Sequence, residues 1–430
     1  MQTRRDHVQA YQFAMGRLAS ALVSGDPGRG ESPTRRSALG SVFGVGLVVL
    51  LCAGFGIYGL VSPVAKNDWR KDGTVVLEES TGNRYVYADG ELRPVRNYAS
   101  ALLIAGRRTD PATPSAKSLE GVPHGTPVGI PGAPDNVPDA AGLTPGPWAR
   151  CLPRAGAADA GQSLAFGPIV SAMHALPSGR QALVDGPKGD HYLLLGGAKH
   201  PVPDGAALIA LGLDDQTAFT ATADWLAAVP TGAALTAPTP PGTGKPAGEV
   251  AGKPATVGQL FRTGASGTER HYLLRSDGLV PVNPTAYALL AARPGAPEPR
   301  QVEQTDIAVA RASADRGPTD RVPDVLGVPA LDSGTPCLVR LAAATYKLVV
   351  SRFEGGRVVL PADGGVLAVP DGSHLTYLVT EQGVKYRIAG DDAVQALGLG
   401  GARNRIALPA GVLALLPDGP VLSRAAAGKG

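Results

Sequence analysis

A run of 29 residues without a charged side chain, from Ser37 to Ala65, constrains this chain more than any other feature. A helix needs about 20 mainly apolar residues to cross the roughly 30 Å hydrocarbon core of a bilayer, so this run is long enough to span it with some tilt. The chain is therefore predicted to have a short N-terminal tail and a large outer part, which face different compartments.

The charges that flank the run predict its orientation. Residues 1–36 contain six arginines, whereas Lys66, Arg70 and Lys71 are the basic residues near the other end. Because the flank that is richer in Lys and Arg stays in the cytoplasm, we predict a cytoplasmic tail and a periplasmic or extracytoplasmic outer part. A cleaved signal peptide is the alternative, but the run starts late, is too long and lacks a small-x-small cleavage site.

The distribution of charge also limits the partners of the outer part. The whole chain has a formal net charge of +3, and the six arginines and three acids of the tail account for all of it. The outer part is thus neutral overall and has no global basic field for nucleic acid. A hydrophobic content of 44% with 57 glycines and 39 prolines is typical of a loop-rich folded body.

Three cysteines are present, and two of them lie in the outer part. Cys52 falls inside the apolar run, whereas Cys151 and Cys337 follow it. Because an oxidising compartment allows disulfides, we expect Cys151 to pair with Cys337. Two unrelated free thiols are the alternative. No CxxC or Cys/His spacing typical of a metal site occurs, so no metal site is predicted.

A module recurs four times in the outer part. Each copy contains a tyrosine, which is Tyr85, Tyr192, Tyr272 or Tyr377, inside an aromatic and aliphatic run that ends near a glycine. This run predicts a strand, the glycine a tight turn, and the next short run another strand. A further candidate strand lies upstream of each tyrosine, at residues 74–78, 181–184, 259–262 and 366–369, which makes three strands in each module. Asn, Asp or Pro then opens a short Ala/Leu-rich helix. Each module is predicted to be a small sheet with one helix, which must pack on its neighbours to bury enough surface.

The order of the modules predicts the fold class, which is α+β. One transmembrane helix precedes an elongated outer part, in which four β-sheet-plus-helix repeat modules surround a mostly β central domain with pseudo-twofold symmetry. The expected disulfide would join the two halves of the central domain. The predicted boundaries are tail 1–36, transmembrane helix 37–62, first module 66–147, first central half 148–180, second module 181–236, linker 237–254, third module 255–322, second central half 323–362 and fourth module 363–425.

The tail is predicted to form an amphipathic helix from about residue 5 to residue 24. An apolar stripe recurs on it at helical spacing, formed by Tyr11, Met15, Leu18 and Leu22. An isolated helix with such a stripe docks on a partner or lies on the membrane surface. We favour docking, which makes these four residues the candidate partner-binding site.

Several segments in order resemble the EccB family, the single-pass core component of the actinobacterial type VII (ESX) secretion machine. They include residues 4–13, the membrane run, residues 73–85, residues 129–134, the two spaced cysteines and residues 416–420. The resemblance implies a structural and assembly subunit of a plasma-membrane complex. The implied partners are other membrane components of that machine (EccC-, EccD- and EccE-like) and further copies of the chain itself.

The family has also been described as an ATP hydrolase, which makes an enzyme the competing hypothesis. A phosphate-binding loop needs glycines followed by Lys and a hydroxyl residue at the start of a helix. Lys245 follows Gly242 and Gly244, but Pro246 stands where the hydroxyl residue is needed, and Lys253 is likewise followed by proline. We therefore predict no catalytic residue and no cofactor. Binding of peptidoglycan by the repeated modules is a further alternative, although no aromatic stripe for sugar stacking is present.

Overall fold

The computed structural model describes residues 4–25, 34–61, 67–154, 156, 161–236, 239–264, 268–315, 320–342, 345–352 and 357–429. The chain divides into two compact units. The first unit is Met1–Asp68 with Pro114–Glu120, and the second unit is Trp69–Thr113 with Gly121–Gly430.

The helices are short except for the first two. In chain order they are α1 (Arg4–Ser24), α2 (Thr34–Val61), α3 (Tyr98–Ala105), α4 (Ala116–Leu119), α5 (Pro168–Ser171), α6 (Gly205–Ala210), α7 (Ala223–Ala227), α8 (Pro284–Ala291), α9 (Gln304–Val309), α10 (Asp391–Ala396), α11 (Ala410–Leu413) and α12 (Arg424–Ala427).

The strands all belong to the second unit. They are β1 (Thr74–Leu77), β2 (Arg84–Ala88), β3 (Glu91–Pro94), β4 (Trp148–Cys151), β5 (Ser163–Phe166), β6 (His174–Ala175), β7 (Ala182–Asp185), β8 (His191–Leu195), β9 (Ala198–Val202), β10 (Phe219–Thr220), β11 (Pro246–Val250), β12 (Lys253–Thr256), β13 (Leu260–Thr263), β14 (Arg270–Arg275), β15 (Gly278–Val282), β16 (Arg300–Gln301), β17 (Thr335–Ala342), β18 (Thr345–Ser351), β19 (Val358–Val359), β20 (Gly365–Pro370), β21 (Thr376–Thr380), β22 (Lys385–Ile388) and β23 (Arg405–Leu408).

In the first unit, α2 is formed by the uncharged run. Its stretch Gly40–Ile57 has a mean hydropathy of 2.2, and none of this stretch is buried. By length and composition, α2 is the one helix among the described residues that could cross a bilayer. Because its apolar side chains have no protein core around them, the hydrophobic effect favours a lipid environment for them.

Four modules of the second unit repeat one arrangement, as the sequence predicts. Three antiparallel strands are followed by a helix: β1–β3 with α3, β7–β9 with α6, β13–β15 with α8, and β20–β22 with α10. The register is conserved among the modules, because Tyr85, Tyr192 and Tyr272 each lie opposite a proline. Asn97, Asp204 and Asn283 cap three of the helices by accepting a hydrogen bond from a first-turn amide.

Modules two, three and four carry one more strand than the sequence predicts. The strands β10, β16 and β23 each pair in parallel with the first strand of their module. Two of them have only two residues, Phe219–Thr220 and Arg300–Gln301. Strands of this length carry no alternating pattern that single-sequence reasoning could detect.

A six-stranded sheet lies between the module pairs and contains the disulfide. Its strand order is β19–β5–β4–β17–β18–β6, so the two halves of the sheet are related by a local pseudo-twofold axis. Cys151 of β4 and Cys337 of β17 lie directly opposite each other and form the disulfide. Both cysteines are buried. The β17–β4 pairing joins residues 148–180 and 323–362 into one sheet.

The hydrophobic cores show which modules pack together. Modules one and four share a core that includes Leu102 and Leu397, and modules two and three share one that includes Leu211 and Leu289. Two further cores join the central sheet to modules two and four. The order of the segments along the chain is module, half sheet, module, twice over, which is the order of a tandem duplication. The predicted fold class, α+β with four repeat modules and a central β domain, is confirmed.

The stretch 237–254 differs from the bare linker that its composition suggests. Strands β11 and β12 form an antiparallel hairpin in this region, with Ala251 and Gly252 in its turn at positive φ. Val250 and Ala255 are buried against Phe261 and its neighbours in module three. Burial of these apolar side chains explains why a Pro- and Gly-rich stretch is ordered here.

Candidate partner-binding surfaces

The predicted apolar stripe on the tail helix is exposed. Relative exposures in α1 are 68% for Tyr11, 51% for Met15, 58% for Leu18 and 83% for Leu22. Steps of three and four residues bring these side chains onto one face of the helix. The structure therefore presents a continuous apolar face, although its role in binding a partner stays a prediction.

Apolar exposure on α1 is wider than this stripe. Phe13 is 67% exposed and lies about 200° around the helix from Tyr11, at about 100° per residue. The Arg17 guanidinium lies 6.0 Å from the centre of the Phe13 ring. Because Phe13 is on the opposite face, it offers a matched control for any test of the stripe.

The disulfide lies among small and aliphatic side chains at the centre of the second unit. Its neighbours in the core include Ala149, Ala165, Val339 and Val349. The third cysteine, Cys52, is free and exposed on α2. Because the bridge joins the two halves of the duplication at their common sheet, it acts as a structural crosslink.

A buried cation stands beside the disulfide. The Arg150 side chain is only 4% exposed and forms an ion pair with Asp224 at the start of α7, and it also donates to the Asp224 carbonyl oxygen at 3.0 Å. Burial acts to raise the pKa of Asp224, but hydrogen bonds from Thr222 and Arg150 outweigh it, so the pKa is lower than its ordinary value. This pair ties the central sheet to module two.

Two buried lysines occupy one repeat position and were missed by sequence reasoning. Lys199 and Lys385 each stand two residues before the start of the Pro-Val or Arg-Ile pair of their module. The Lys199 Nζ donates to the carbonyl oxygens of Leu226 at 2.8 Å and Val229 at 2.6 Å. Modules one and three have leucine at this position, Leu92 and Leu279. Leucine and lysine therefore alternate along the four modules, and this repeat of every second module is the signal in the sequence that indicates a duplication.

Two histidines also share a repeat position, but their surroundings differ. His191 lies 2.8 Å from Asp185, whereas the His271 ring packs on Tyr287 at 4.1 Å between centres, with Glu269 at 3.6 Å. Unlike surroundings are expected of structural side chains and not of two copies of one catalytic site. Within the described residues, no group of three or more His, Cys, Asp or Glu is arranged to hold a metal ion.

The candidate phosphate-binding lysines lie at the β11–β12 hairpin. The Lys245 amide donates to the Gly242 carbonyl oxygen at 3.0 Å, and strand β11 begins at the next residue. Lys253 is the first residue of β12. A phosphate-binding loop uses the amides at a helix N-terminus, whereas both lysines here lead into strands.

The sequence matches a family profile described as type VII secretion system ESX-1, transport TM domain B, over residues 1–338 and 327–429. The chain is 30% identical over 483 residues to the ESX-3 secretion system ATPase EccB3 of Mycobacterium tuberculosis (strain H37Rv), covering 98% of this chain and 88% of that protein. It is 28% identical over 461 residues to the ESX-1 secretion system ATPase EccB1 of Mycolicibacterium smegmatis (strain MKD8), covering 99% and 94%.

Solved structures of the same system are also similar. An intact ESX-5 inner membrane complex contains a chain with a TM-score of 0.49 and 24% identity, covering 99% of this chain and 95% of that one. The EccB3 dimer from the ESX-3 core complex gives a TM-score of 0.46 and 27% identity, covering 83% and 100%. Because the family profile spans nearly the whole sequence and a relative that is 30% identical is matched over most of its length, the chain belongs to the EccB family of type VII secretion transmembrane proteins.

Proposed function

We propose that this chain is a structural and assembly subunit of an inner-membrane type VII protein-secretion complex. Its partners are other membrane components of that machine (EccC-, EccD- and EccE-like) and further copies of itself. The observation that carries the proposal is the exposed apolar face of α1, in a chain that matches the family profile over nearly its full length.

The orientation follows from the charges. Six arginines in residues 1–36 stand against three basic residues near the other end of the uncharged run, which favours a cytoplasmic tail. The second unit then lies on the periplasmic side. A buried disulfide between Cys151 and Cys337 supports this placement, because disulfides persist outside the reducing cytoplasm.

The tail helix is the proposed docking element. Tyr11 and Met15 supply an aromatic ring and a flexible thioether, which are residue types favoured at protein interfaces. Helices that lie on membranes place Lys and Arg along their polar face, but between residues 6 and 24 the basic residues of α1 are His7 and Arg17. This composition supports docking of α1 on a neighbouring subunit.

An ATP hydrolase is the competing function, since the names of both relatives contain the word ATPase. The geometry at Lys245 and Lys253 favours the assembly role, because both residues lead into strands of a hairpin. An outer domain would also be separated by the membrane from cytoplasmic ATP. Replacing both lysines by alanine is expected to leave secretion close to normal, since exposed lysines contribute little to stability.

The decisive experiment replaces Tyr11, Met15 and Leu18 by serine in the full chain. The variant should leave the membrane complex during purification in mild detergent, and secretion should stop. Phe13→Ser, which removes an equally exposed side chain from the opposite face, should stay in the complex. If the triple variant copurified normally while the lysine double variant abolished secretion and ATP hydrolysis, the assembly role would be wrong.

The orientation has its own test in intact cells. In a Cys52→Ser background, a cysteine placed at Ser24 should resist an impermeant thiol reagent, and one placed at Thr243 should react. The reverse pattern would place the second unit in the cytoplasm and contradict the proposal.

A further inference from the structure

The outer edge of strand β6 is open at one end of the central sheet. This strand consists of His174 and Ala175, which pair with Val350 and Val349 of β18. Among the described residues, β6 is the last strand of the sheet on this side, and both of its residues are exposed. An edge strand of this kind presents backbone N–H and C=O groups that lack a strand partner.

The pseudo-twofold symmetry shows that the equivalent edge is covered. Strand β19 ends the sheet on the other side, and its Val358 is only 8% exposed. The β21–β22 turn of module four lies on it: a Cβ at Gly383 would be 3.4 Å from Val358. The corresponding β8–β9 turn of module two contains Gly196 and Gly197, which have no atom within 4 Å of an added Cβ. The duplicated fold therefore covers the β19 edge of the central sheet and leaves the β6 edge uncovered.

Two cavities lie where the cover is missing. The larger, which we call the edge cavity, has a volume of about 750 Å³ and is lined by both residues of β6 together with α5 and the end of β18. A second cavity of about 390 Å³ is lined by Ala175 and by Gly196 and Gly197. Since Ala175 lines both, the open edge of β6 borders both cavities. The edge cavity could accommodate several residues of an extended peptide.

The chemistry of the edge cavity indicates what would occupy it. Ile169 and Met173 give it an apolar wall, while His174, Arg180 and Arg352 supply cationic or protonatable groups against one carboxylate, Asp332. Arg180 is paired with Asp332 at 3.3 Å, whereas Arg352 is exposed. An acidic segment would complement this charge, and a basic one would be repelled.

We propose that an extended, acidic peptide segment of a partner protein binds in the edge cavity as an added strand on β6. Backbone hydrogen bonds to the β6 edge would hold the segment. Alternate side chains would face the apolar wall, and its carboxylates would face Arg352 and His174. This surface extends the proposed assembly role and uses a face of the protein in a different unit from α1.

The test is site-specific photo-crosslinking in the assembled membrane complex, with a benzophenone amino acid at Ala172, which directly follows α5 and lines the edge cavity. The expected product joins this chain to an extended segment with net negative charge in another protein. Arg352→Glu should lower the yield at least fivefold and His174→Glu should lower it further. Arg357→Glu, beside the covered β19 edge, should leave the yield unchanged, and a photo-reactive residue at Val359 should give no adduct to another protein.

The inference would be overturned by an adduct to a basic or helical segment, to a second copy of this chain, to lipid or to glycan. It would also be overturned by no adduct at Ala172, or by a yield that Arg352→Glu does not change while the melting temperature stays that of the wild type. Copurification is scored on the same samples. If the chain without the Arg352 and His174 substitutions did not copurify in a membrane complex, the proposed function would be contradicted, whereas an intact complex without an adduct would contradict the strand addition alone.

Discussion

The Lys199→Met substitution tests how much the buried ammonium group of Lys199 contributes to the stability of module two. Lys199 is 9% exposed, and its ammonium group donates to the carbonyl oxygens of Leu226 and Val229 at the end of α7. Methionine retains the apolar stem but removes this donor from the Val229 carbonyl oxygen, while the Leu226 carbonyl oxygen still accepts from the Val229 amide at 3.1 Å. Each unsatisfied buried acceptor costs about 1–3 kcal/mol, and relief of the ammonium's desolvation offsets part of that. We expect a net loss of about 2 kcal/mol.

The measurement is amide hydrogen exchange in the full chain in detergent micelles, because an array of modules need not unfold in one step. A loss of about 2 kcal/mol corresponds to exchange roughly 30-fold faster, at the amides of Val229 and Gly232. Lys253→Met, on the exposed hairpin, is the matched control and should change exchange by less than about 0.5 kcal/mol. A Lys199→Met effect as small as that of the control would refute the capping role.

The pH dependence of the free energy of unfolding is a second test of the burial of Lys199. Burial lowers the pKa of Lys199 below its ordinary value of 10.5. Between the folded-state pKa and 10.5 the unfolded chain binds more protons, so stability rises with pH in this window. The stability gap between the wild type and Lys199→Met should therefore widen as the pH rises toward 10.5, and a gap that is independent of pH would contradict the burial argument.

Three further predictions concern the second unit. Lys385→Met should have a smaller effect on hydrogen exchange than Lys199→Met, because its Nζ reaches one carbonyl oxygen, at 2.6 Å, besides the exposed carboxylate of Asp418. Cys337→Ser should destabilise the chain by up to about 5 kcal/mol in the loop-entropy model, and an unchanged melting temperature without reductant would show that the bridge is dispensable. Asp224→Asn should lower the melting temperature at neutral pH by leaving Arg150 buried without its counterion. The stability that Asp224 adds should be present above its ordinary pKa of 3.8 and be lost as the pH falls through the lowered folded value; the Asn variant should lack this loss.

The sequence by itself determined the features that depend on local pattern. An uncharged run long enough for a bilayer predicts α2, and steps of three and four residues predict the face of α1 that carries Tyr11 and Leu22. The recurring Tyr, Gly and Pro-Val positions predict three strands and a helix in every module, because alternation, turn residues and caps act over a few neighbours in the chain. The order of the segments also predicted which halves the disulfide would join.

Tertiary structure alone decided which modules pack together and which edges are covered. The two-residue strands β10 and β16 carry no local signal, and their pairing depends on where distant segments lie. Lys199 and Lys385 resemble exposed strand lysines in the sequence, since burial follows from the carbonyl groups that α7 and the turn after α11 bring to them. The open edge of β6 is likewise visible only against its covered counterpart β19. Each of these features depends on contacts between residues far apart in the chain, for which periodicity and turn chemistry hold no information.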